Sequence, residues 1–406
     1  MIETTMDVDG ELARRFGSPL YVYRLDDVEA AVSCLRDELP DGSLLYYSLK
    51  ANPHPDLVAH LRARGCHAEI SSPGELAAAR LAGFDGRGCL YTGPAKTSQE
   101  ITAALDAGVE LFSVESATDF ARVAQAASDS GVTARCLLRL ATSPTGPAGL
   151  RLAGAPSQFG MEAAGLLAEP GRFADTDGAR VVGLHFFPAS NVPDEDGLMS
   201  AFTAAIALAA SLRESGLRLD QVNLGGGFSA PYARPGERPR HPGLRRRLSA
   251  ELDARLPGWR TGRPVIAFES GRHLVGGCGR LICTVADVKT RGEHTFVLLD
   301  SGVNHLGGLS GIGRMLPGAV PLADGGTSGG LVTFAGPLCT TADVLSRRAP
   351  AGPLSPGDFV VFPNVGAYGL TASLVAFLGR AAPAELVLRG TEIVSVSHLT
   401  ISRTYD

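Results

Sequence analysis

Short apolar runs alternate with segments of helical spacing through the first two thirds of the chain. Eight runs have the length and composition of buried strands: Leu44–Leu49, Cys66–Ile70, Cys89–Thr92, Glu110–Val114, Arg135–Leu140, Val181–Phe187, Gln221–Leu224 and Pro264–Phe268. Alanine-rich segments with helical spacing lie between them, among them Pro55–Arg64, Pro73–Ala82, Ser98–Ala107 and Ser116–Ser130. This repetition predicts a (β/α)8 barrel of the α/β class. A doubly wound open sheet is the alternative, but its usual glycine-rich fingerprint does not follow the first strand.

The pattern changes after Phe268, where strand-like segments are separated by glycine and proline turns. These segments are Leu281–Val288, Thr295–Leu299, Leu331–Ala335, Phe359–Phe362, Glu385–Leu388 and Glu392–Val396. They predict a C-terminal all-β domain. We therefore assign residues 25–268 to the barrel and residues 269–406 to the β-domain, with residues 1–24 belonging to the β-domain. Strand Leu20–Tyr23 could instead pair with the first barrel strand. The glycine-rich stretch Gly302–Gly330 is expected to be a loop near a functional site.

Composition excludes several classes of protein. With 45% hydrophobic and 19% charged residues among 406, the chain can bury a large core. A net charge of −5 argues against a nucleic-acid or membrane partner. The N-terminus lacks the apolar core of a signal peptide, and the seven cysteines include no CxxC pair, which fits a reducing cytoplasm. The nine histidines show no ligand spacing, so no metal site is expected.

Two basic features have ordinary interpretations. The segment Gly93–Thr97 superficially resembles a phosphate loop, but it lacks the first glycine of that motif, and we reject the assignment. The arginine-rich run Arg234–Arg247 could dock an acidic carrier protein, but an exposed loop and helix start is the favoured interpretation.

Candidate chemistry lies where predicted barrel strands end, because barrel active sites form at the C-terminal ends of the strands. Lys50 follows the first strand, and a desolvated lysine is a nucleophile toward aldehydes. Gly225–Gly227 follows the seventh strand, where bare backbone can approach a phosphate. Glu269 and Arg272 follow the eighth strand. A buried carboxylate there could protonate a pyridine nitrogen, and an arginine could bind a phosphate.

Together these positions resemble the fold-type III pyridoxal-phosphate decarboxylases, the family of the diaminopimelate and ornithine decarboxylases. Seven segments in the family's order carry the resemblance: Tyr46–Pro53, Ala68–Leu76, Gly183–Asn191, Asn223–Phe228, Phe268–Arg272, Gly336–Leu345 and Gly366–Tyr368. They extend over almost the whole chain.

The resemblance implies pyridoxal 5′-phosphate as cofactor and a homodimer with shared active sites. It implies that Lys50 forms the Schiff base, that Glu269 binds the pyridine nitrogen, and that Cys339 donates a proton from the partner subunit. The other implied cofactor-binding residues are Glu69, Arg139, Phe187, Ser190, Gly226, Gly227, Gly271, Arg272 and Tyr368. Of these, the set implied to hold the phosphate is Ser190, Gly226, Gly227, Arg272 and Tyr368.

Three positions depart from the family pattern. Phe187 stands where a histidine usually stacks on the cofactor ring, and Ser270 replaces a proline. Thr340 replaces the acidic residue that pairs with the distal ammonium of a basic amino acid, which implies a substrate-binding difference. Since a buried ammonium needs a partner, free basic amino acids become poor substrates unless another acid, such as Asp324, compensates.

Segments Tyr91–Thr97, Gly336–Thr341 and Gly366–Ser373 are most similar to the branch with the butirosin-pathway decarboxylase of an aminoacyl-carrier protein. That similarity implies decarboxylation of an amino acid carried as a thioester on an acyl-carrier protein, in specialised metabolism. A decarboxylase of free diaminopimelate or another basic amino acid is the alternative. An amino-acid racemase is disfavoured by Glu269, because such racemases place an arginine at the ring nitrogen. A non-catalytic relative is disfavoured by the retained lysine and cysteine.

Overall fold

The computed structural model describes residues 2–141, 158–307 and 330–405. The chain forms two compact units. The β-unit comprises Met1–Glu29, Ala230–Arg238 and Arg272–Asp406, and the barrel unit comprises Ala30–Ser229 and Pro239–Gly271.

Strands and helices are numbered along the described chain. The strands are β1 (Leu20–Arg24), β2 (Leu44–Ser48), β3 (His67–Ile70), β4 (Cys89–Tyr91), β5 (Leu111–Val114), β6 (Ala134–Leu140), β7 (Ala179–Phe186), β8 (Gln221–Asn223), β9 (Val265–Ser270), β10 (Gly279–Arg291), β11 (His294–Leu299), β12 (Leu331–Ala335), β13 (Val344–Pro350), β14 (Phe359–Pro363), β15 (Ala384–Arg389) and β16 (Glu392–His398). The helices are α1 (Ile2–Phe16), α2 (Leu25–Glu38), α3 (Pro55–Ala63), α4 (Pro73–Leu81), α5 (Ser98–Asp106), α6 (Ala117–Asp129), α7 (Ala163–Ala168), α8 (Glu195–Glu214), α9 (Leu244–Arg255) and α10 (Arg272–Val275).

Strands β2 to β9 pair in sequence order, all parallel, and β2 closes the ring against β9. Each corresponds to one of the eight predicted runs, so the predicted (β/α)8 barrel is confirmed. Side chains from six strands fill the barrel interior: Tyr46, Leu90, Leu111, Leu137, Val182 and Ala267. Strand β9 continues to Ser270, so Glu269 belongs to a barrel strand.

Several helices of the barrel unit begin where a side chain can accept the unpaired backbone N–H groups of the first turn. Ser72 accepts from the N–H of Glu75 at the start of α4, and Ser116 does the same for α6. Thr97 and Glu100 form a reciprocal capping box that begins α5. These caps set where each loop leaves the rim of the barrel.

Among the described residues, α8 is the one helix that is long and apolar enough, by length and composition alone, to cross a membrane. Eight of its residues are buried, including Leu198, Phe202 and Ile206, and it packs against α9. Its apolar character is therefore explained by its place in the outer layer of the barrel unit.

The β-unit contains a sheet with the strand order β13-β12-β11-β10-β1-β15-β16, and β14 also pairs with β10. Strand β1 is antiparallel to β10 and parallel to β15. The alternative pairing of Leu20–Tyr23 with the first barrel strand is therefore wrong. A cluster of buried side chains supports this sheet: Ala13, Leu20, Val22, Ile282, Val361, Ala384, Leu386 and Leu388.

In the β-unit, one strand was not predicted from the sequence, and one predicted loop lies mostly outside the described residues. Strand β13 was not predicted, because its exposed Arg347 and Arg348 interrupt the apolar pattern of this edge strand. The predicted loop Gly302–Gly330 lies for the most part outside the described residues, since 308–329 are not described, and Asp324 lies there too.

Candidate active site

Lys50 stands at the rim of the barrel, on a single turn that directly follows β2. Leu49 and Ala51 on this turn are buried, whereas 40% of the Lys50 side chain is exposed. Its ammonium donates to both carboxylate oxygens of Glu69, at 3.0 and 3.1 Å. Because parallel strands end at one rim, the lysine after β2 meets the glutamate of β3.

Glu69 is a buried carboxylate whose partners keep it ionised. Burial by itself opposes ionisation. The Lys50 charge and hydrogen bonds from Ser48, Thr92 and Lys50 outweigh that cost and lower the pKa of Glu69 to about 2. The Thr92 hydroxyl, just after β4, donates to Oε1 at 2.6 Å. Glu69 is thus a fixed negative charge that orients the Lys50 ammonium.

Phe187 follows β7 and has two cations near its ring. Lys50 Nζ lies 5.4 Å and Arg139 Cζ lies 5.8 Å from its ring centroid. Glu115 fixes Arg139 through an ion pair of 2.7 Å. Its other carboxylate oxygen accepts the N–H of Gly160 at 3.1 Å. The half-buried ring of Phe187 can stack on a planar ligand, but it offers no hydrogen-bonding atom.

Glu269, in β9, is 1% exposed and has polar neighbours on two other strands. Asn223 Nδ2, in β8, donates to Glu269 Oε1 at 2.8 Å. His185 Nε2, in β7, lies 3.0 Å from the same oxygen. Both described partners therefore meet Oε1, which leaves Oε2 as the oxygen that can face a ligand.

The glycines after β8 combine close packing with available N–H groups. A Cβ on Gly226 would lie 2.6 Å from the carbonyl oxygen of Glu269, and Gly225 and Gly227 have φ of +74° and +123°. Within the described residues, no hydrogen bond takes the N–H of Gly226 or Gly227. The loop of Ser190 runs beside them, since the N–H of Val192 donates to the Gly227 carbonyl at 2.8 Å.

Gly271 follows β9 at a place where its neighbours leave no room for a side chain. A Cβ there would lie 2.8 Å from the Cβ of Ala51, next to Lys50. Because Gly271 has no side chain, the end of β9 can approach the turn that carries Lys50.

Arg272 and Tyr368 come together in the β-unit. The Arg272 guanidinium carbon lies 4.7 Å from the Tyr368 ring centroid and 6.0 Å from that of Tyr232. The Tyr232 hydroxyl donates to the Tyr368 carbonyl at 2.9 Å. Two aromatic rings therefore orient this guanidinium. Sequence reasoning missed Tyr232, because nothing local marks a tyrosine 40 residues before Arg272.

Cys339 is exposed, whereas the other six cysteines of the chain are buried. Asp343 stabilises the loop of Cys339 by two hydrogen bonds. Its carboxylate accepts the N–H of Val303 at 2.8 Å and the N–H of Leu338 at 2.7 Å. Arg380 donates to the Pro337 carbonyl at 3.2 Å. The loop thus presents its thiol outward on an anchored backbone.

Four residues of the rim were not among the predicted site residues, namely Thr92, Glu115, His185 and Asn223. Each lies in or directly after a barrel strand, as the predicted site residues do. A position at the end of a barrel strand could therefore have marked these four residues as candidates. It does not predict which side chains of neighbouring strands are in contact.

The run Arg234–Arg247 contains six arginines, four of which have acceptors inside the chain. Arg240 pairs with Glu38 at 3.0 Å, and Arg245 pairs with Asp41 at 2.7 Å. Arg247 pairs with Glu195 and Asp196, and Arg238 approaches the Asp27 carbonyl. These contacts favour the ordinary interpretation of the run over a docking surface.

The residues of the barrel rim fit pyridoxal phosphate by the chemistry of their groups. Lys50 offers an amine to an aldehyde, and Glu269 Oε2 offers a carboxylate oxygen to a protonated ring nitrogen. Phe187 offers an apolar ring for stacking, and the N–H groups of Gly226 and Gly227 suit an anion.

Comparisons with known proteins agree with this chemistry. A model of the pyridoxal-binding domain of pyridoxal-dependent decarboxylases matches residues 25–276. L-glutamyl-[BtrI acyl-carrier protein] decarboxylase of Niallia circulans is 30% identical, over 93% of this chain and 90% of the relative. Diaminopimelate decarboxylase of Aquifex aeolicus is 28% identical, over 89% and 85%.

A solved structure shows the same fold. The diaminopimelate decarboxylase of M. jannaschii, in complex with L-lysine, superimposes with a TM-score of 0.84 at 23% identity, covering 95% of this chain and 90% of that chain. The resemblance seen in the sequence is thereby confirmed. The chain belongs to the fold-type III pyridoxal-dependent decarboxylases and is an amino-acid decarboxylase that uses pyridoxal phosphate.

Proposed function

We propose that this enzyme decarboxylates an amino acid carried as a thioester on an acyl-carrier protein, in specialised metabolism. The observation that carries the proposal is Thr340, at the position where the family resemblance implies an acid in enzymes that act on basic amino acids. Its hydroxyl accepts the N–H of Ala342 at 3.2 Å, so it is turned onto its own loop. A neutral group in this position offers a distal ammonium no compensating charge.

The surroundings of Thr340 support the same substrate class. Asp343, the acid closest to it in sequence, already accepts two backbone N–H groups. Burial raises the pKa of Asp343, while those N–H groups and the Arg380 charge oppose the rise. Arg380, a cation, also contacts this loop, because it donates to the Pro337 carbonyl. A cation disfavours a substrate with a terminal ammonium.

The relatives support two versions of the reaction. The Niallia circulans relative is named for a glutamyl group on an acyl-carrier protein. Several others are named diaminopimelate decarboxylases, which favours a free diamino acid as the second candidate. The neutral hydroxyl of Thr340 and the nearby Arg380 cation favour the carrier-bound substrate, whose distal end is an acyl thioester without charge.

In this proposal each residue of the rim has a task. Lys50 binds the cofactor through its ε-nitrogen, and Glu69 holds that nitrogen in place beforehand. Glu269 keeps a proton on the ring nitrogen through Oε2, Phe187 stacks on the ring, and Arg139 lies beside it. Bound pyridoxal phosphate supplies the electron sink for the charge left when CO2 departs.

The remaining roles involve the phosphate and a second protomer. Gly226, Gly227 and Ser190 bind the phosphate, with Gly271 allowing the close approach. The proposal gives Arg272 and Tyr368 the same task. Cys339 donates a proton from Sγ to the α-carbon in the site of a partner subunit, in a homodimer with shared sites. Its exposure supports that role. Seven free cysteines support a cytoplasmic location.

Release of CO2, followed by mass spectrometry of the products, tests the proposal. The protein is supplied with pyridoxal phosphate and offered free amino acids beside the same amino acids loaded on carrier protein. We expect loss of CO2 from loaded carriers. Loss only from a free diamino acid would refute the carrier proposal.

A pair of variants tests whether Thr340 sets the substrate class. Thr340→Asp places a carboxylate in this turn and is expected to raise activity toward free lysine or ornithine at least tenfold, the effect of about 1.4 kcal/mol. Thr341→Asp adds the same charge one residue later and is expected to give no such gain. Equal gains in both variants would contradict the role of Thr340.

A further inference from the structure

A line of buried polar side chains crosses the barrel unit beneath the rim. Ser113 of β5, His185 of β7 and Glu269 of β9 are each at most 1% exposed. Ser113 Oγ lies 2.7 Å from His185 Nδ1, and His185 Nε2 lies 3.0 Å from Glu269 Oε1. The proposed function assigns no task to His185 or Ser113.

The other partner of Glu269 Oε1 has a fixed orientation. Asn223 Oδ1 accepts the N–H of Gly225 at 2.9 Å, so its Nδ2 must be the group that faces Glu269. A buried carboxylate oxygen is stabilised by donors, and Asn223 supplies one of them. The imidazole supplies the second if Nε2 carries its proton.

The Ser113 hydroxyl is compatible with a proton on Nε2, because a hydroxyl can donate to Nδ1 as well as accept from it. In a neutral imidazole one nitrogen donates and the other accepts. If the Ser113 hydroxyl donates to Nδ1, the proton resides on Nε2, next to the carboxylate. The opposite tautomer would bring a nitrogen lone pair against Oε1, which is repulsive at 3.0 Å.

We propose that His185 is a positioning residue, held by Ser113, that fixes Glu269 Oε1 and so aims Oε2 at the ring nitrogen of the cofactor. This inference rests on the proposed role of Glu269 and is independent of the identity of the substrate. Among the described residues, the short contact at Nε2 is not aligned well enough to count as a hydrogen bond. Such contacts often tighten when the ligand binds.

Two substitutions separate the two ends of the imidazole. Glutamine can place an amide nitrogen near the position of Nε2, whereas asparagine reaches only the position of Nδ1. His185→Gln therefore retains a donor toward Glu269, and His185→Asn retains only the contact with Ser113. Both variants replace the imidazole with a primary amide, so the effect of losing the buried imidazole on stability should be the same in the two proteins.

The readout is the dissociation constant of pyridoxal phosphate, measured on the apo-protein by equilibrium dialysis, with the absorption spectrum of the bound cofactor. A hydrogen bond to a charged group suggests that His185→Asn binds about tenfold more weakly, with an altered spectrum. His185→Gln is expected to stay within about threefold of wild type, with the wild-type spectrum. Thermal melting of each apo-protein reports on structural damage.

A double-mutant cycle with Glu269→Gln tests whether His185 acts through Glu269. The two substitutions should be non-additive, so that His185→Asn weakens binding little once Glu269 is replaced. Additive losses would overturn the proposal, as would wild-type affinity in His185→Asn. Equal loss of affinity and of melting temperature in both histidine variants would overturn it too, because His185 would then be a core residue only. If Glu269→Gln alone binds normally, the role of Glu269 fails together with this proposal, whereas the carrier proposal is tested separately by CO2 release.

Discussion

Replacing Lys96 by methionine is expected to destabilise the barrel unit by about 3–5 kcal/mol. Lys96 is 3% exposed, and its ammonium lies 2.7 Å from Asp119 Oδ2. It also donates to the carbonyls of Gly93 and Ser113, each at 2.8 Å. Methionine keeps much of the side-chain volume and removes all three donors. Lys96, which lies in the segment Gly93–Thr97 that we rejected as a phosphate loop, is thus a buried residue that links α6 to the end of β5.

The magnitude follows from what remains after the substitution. Asp119 is 5% exposed, so it would be left as a buried carboxylate without its cation. Breaking a buried pair on one side typically costs about 3–5 kcal/mol, because the remaining charge stays desolvated. Asp119 retains the N–H of Glu115 at 3.1 Å, which places the expected cost toward the lower end of that range.

Equilibrium urea denaturation of the two proteins measures the difference in free energy of unfolding. Arg87→Met is the matched control, because Arg87 pairs with Glu110 at 3.2 Å while the two side chains are 77% and 52% exposed. An exposed pair contributes about 0–1 kcal/mol, so the control should unfold almost like wild type. Equal effects of the two substitutions, or a change below about 1 kcal/mol for Lys96→Met, would refute the reasoning.

Three shorter predictions concern the rim and the exposed thiol. Glu69→Gln removes a carboxyl whose folded pKa of about 2 lies below the ordinary 4.5. Its ionised form stabilises wild type above pH 4.5 and that contribution is lost as pH falls toward 2, so urea denaturation of the variant should depend less on pH there. Gly226→Ala should lower the melting temperature, because the new Cβ would lie 2.6 Å from a backbone oxygen. Iodoacetamide should modify one thiol of seven in the native protein, that of Cys339, as read by peptide mass spectrometry.

Each of these has a control and a contrary outcome. For Glu69, an unchanged pH dependence in the variant would show that the carboxyl is not held ionised. For Gly226, the control is Gly165→Ala, where no atom lies within 4 Å of the added Cβ and the melting temperature should not fall. For Cys339, Cys339→Ser should abolish labelling, and labelling that persists would mean that a buried cysteine is accessible.

Local pattern was enough to predict the barrel because each βα unit repeats its own signal. The eight apolar runs and the helices between them follow from period and turn residues, which are properties of neighbouring positions. Lys50 and Glu269 could be singled out for the same reason, since each ends or follows such a run. Strand β13 escaped, because Arg347 and Arg348 face solvent at a sheet edge and leave no apolar alternation.

The contacts among the site residues could not be obtained in this way. Ser113 and His185 are 72 residues apart, and Asn223 and Glu269 are 46 apart, yet each pair is in direct contact. The register of parallel strands around a closed barrel decides such pairs, and register is a property of the whole sheet.

The sequence by itself therefore predicted the eight barrel strands, the family and the cofactor, and it singled out Lys50 as the candidate lysine. Only the tertiary structure decided which groups surround each charge. It showed that Lys96 pairs with Asp119, that three arginines of a basic run form ion pairs within the chain, and that His185 lies next to Glu269. The physical reason is that the spacing of hydrophobic residues, which predicts strands and helices, depends only on neighbouring positions in the chain. The partners of a buried polar group are chosen by packing between segments that are distant in sequence.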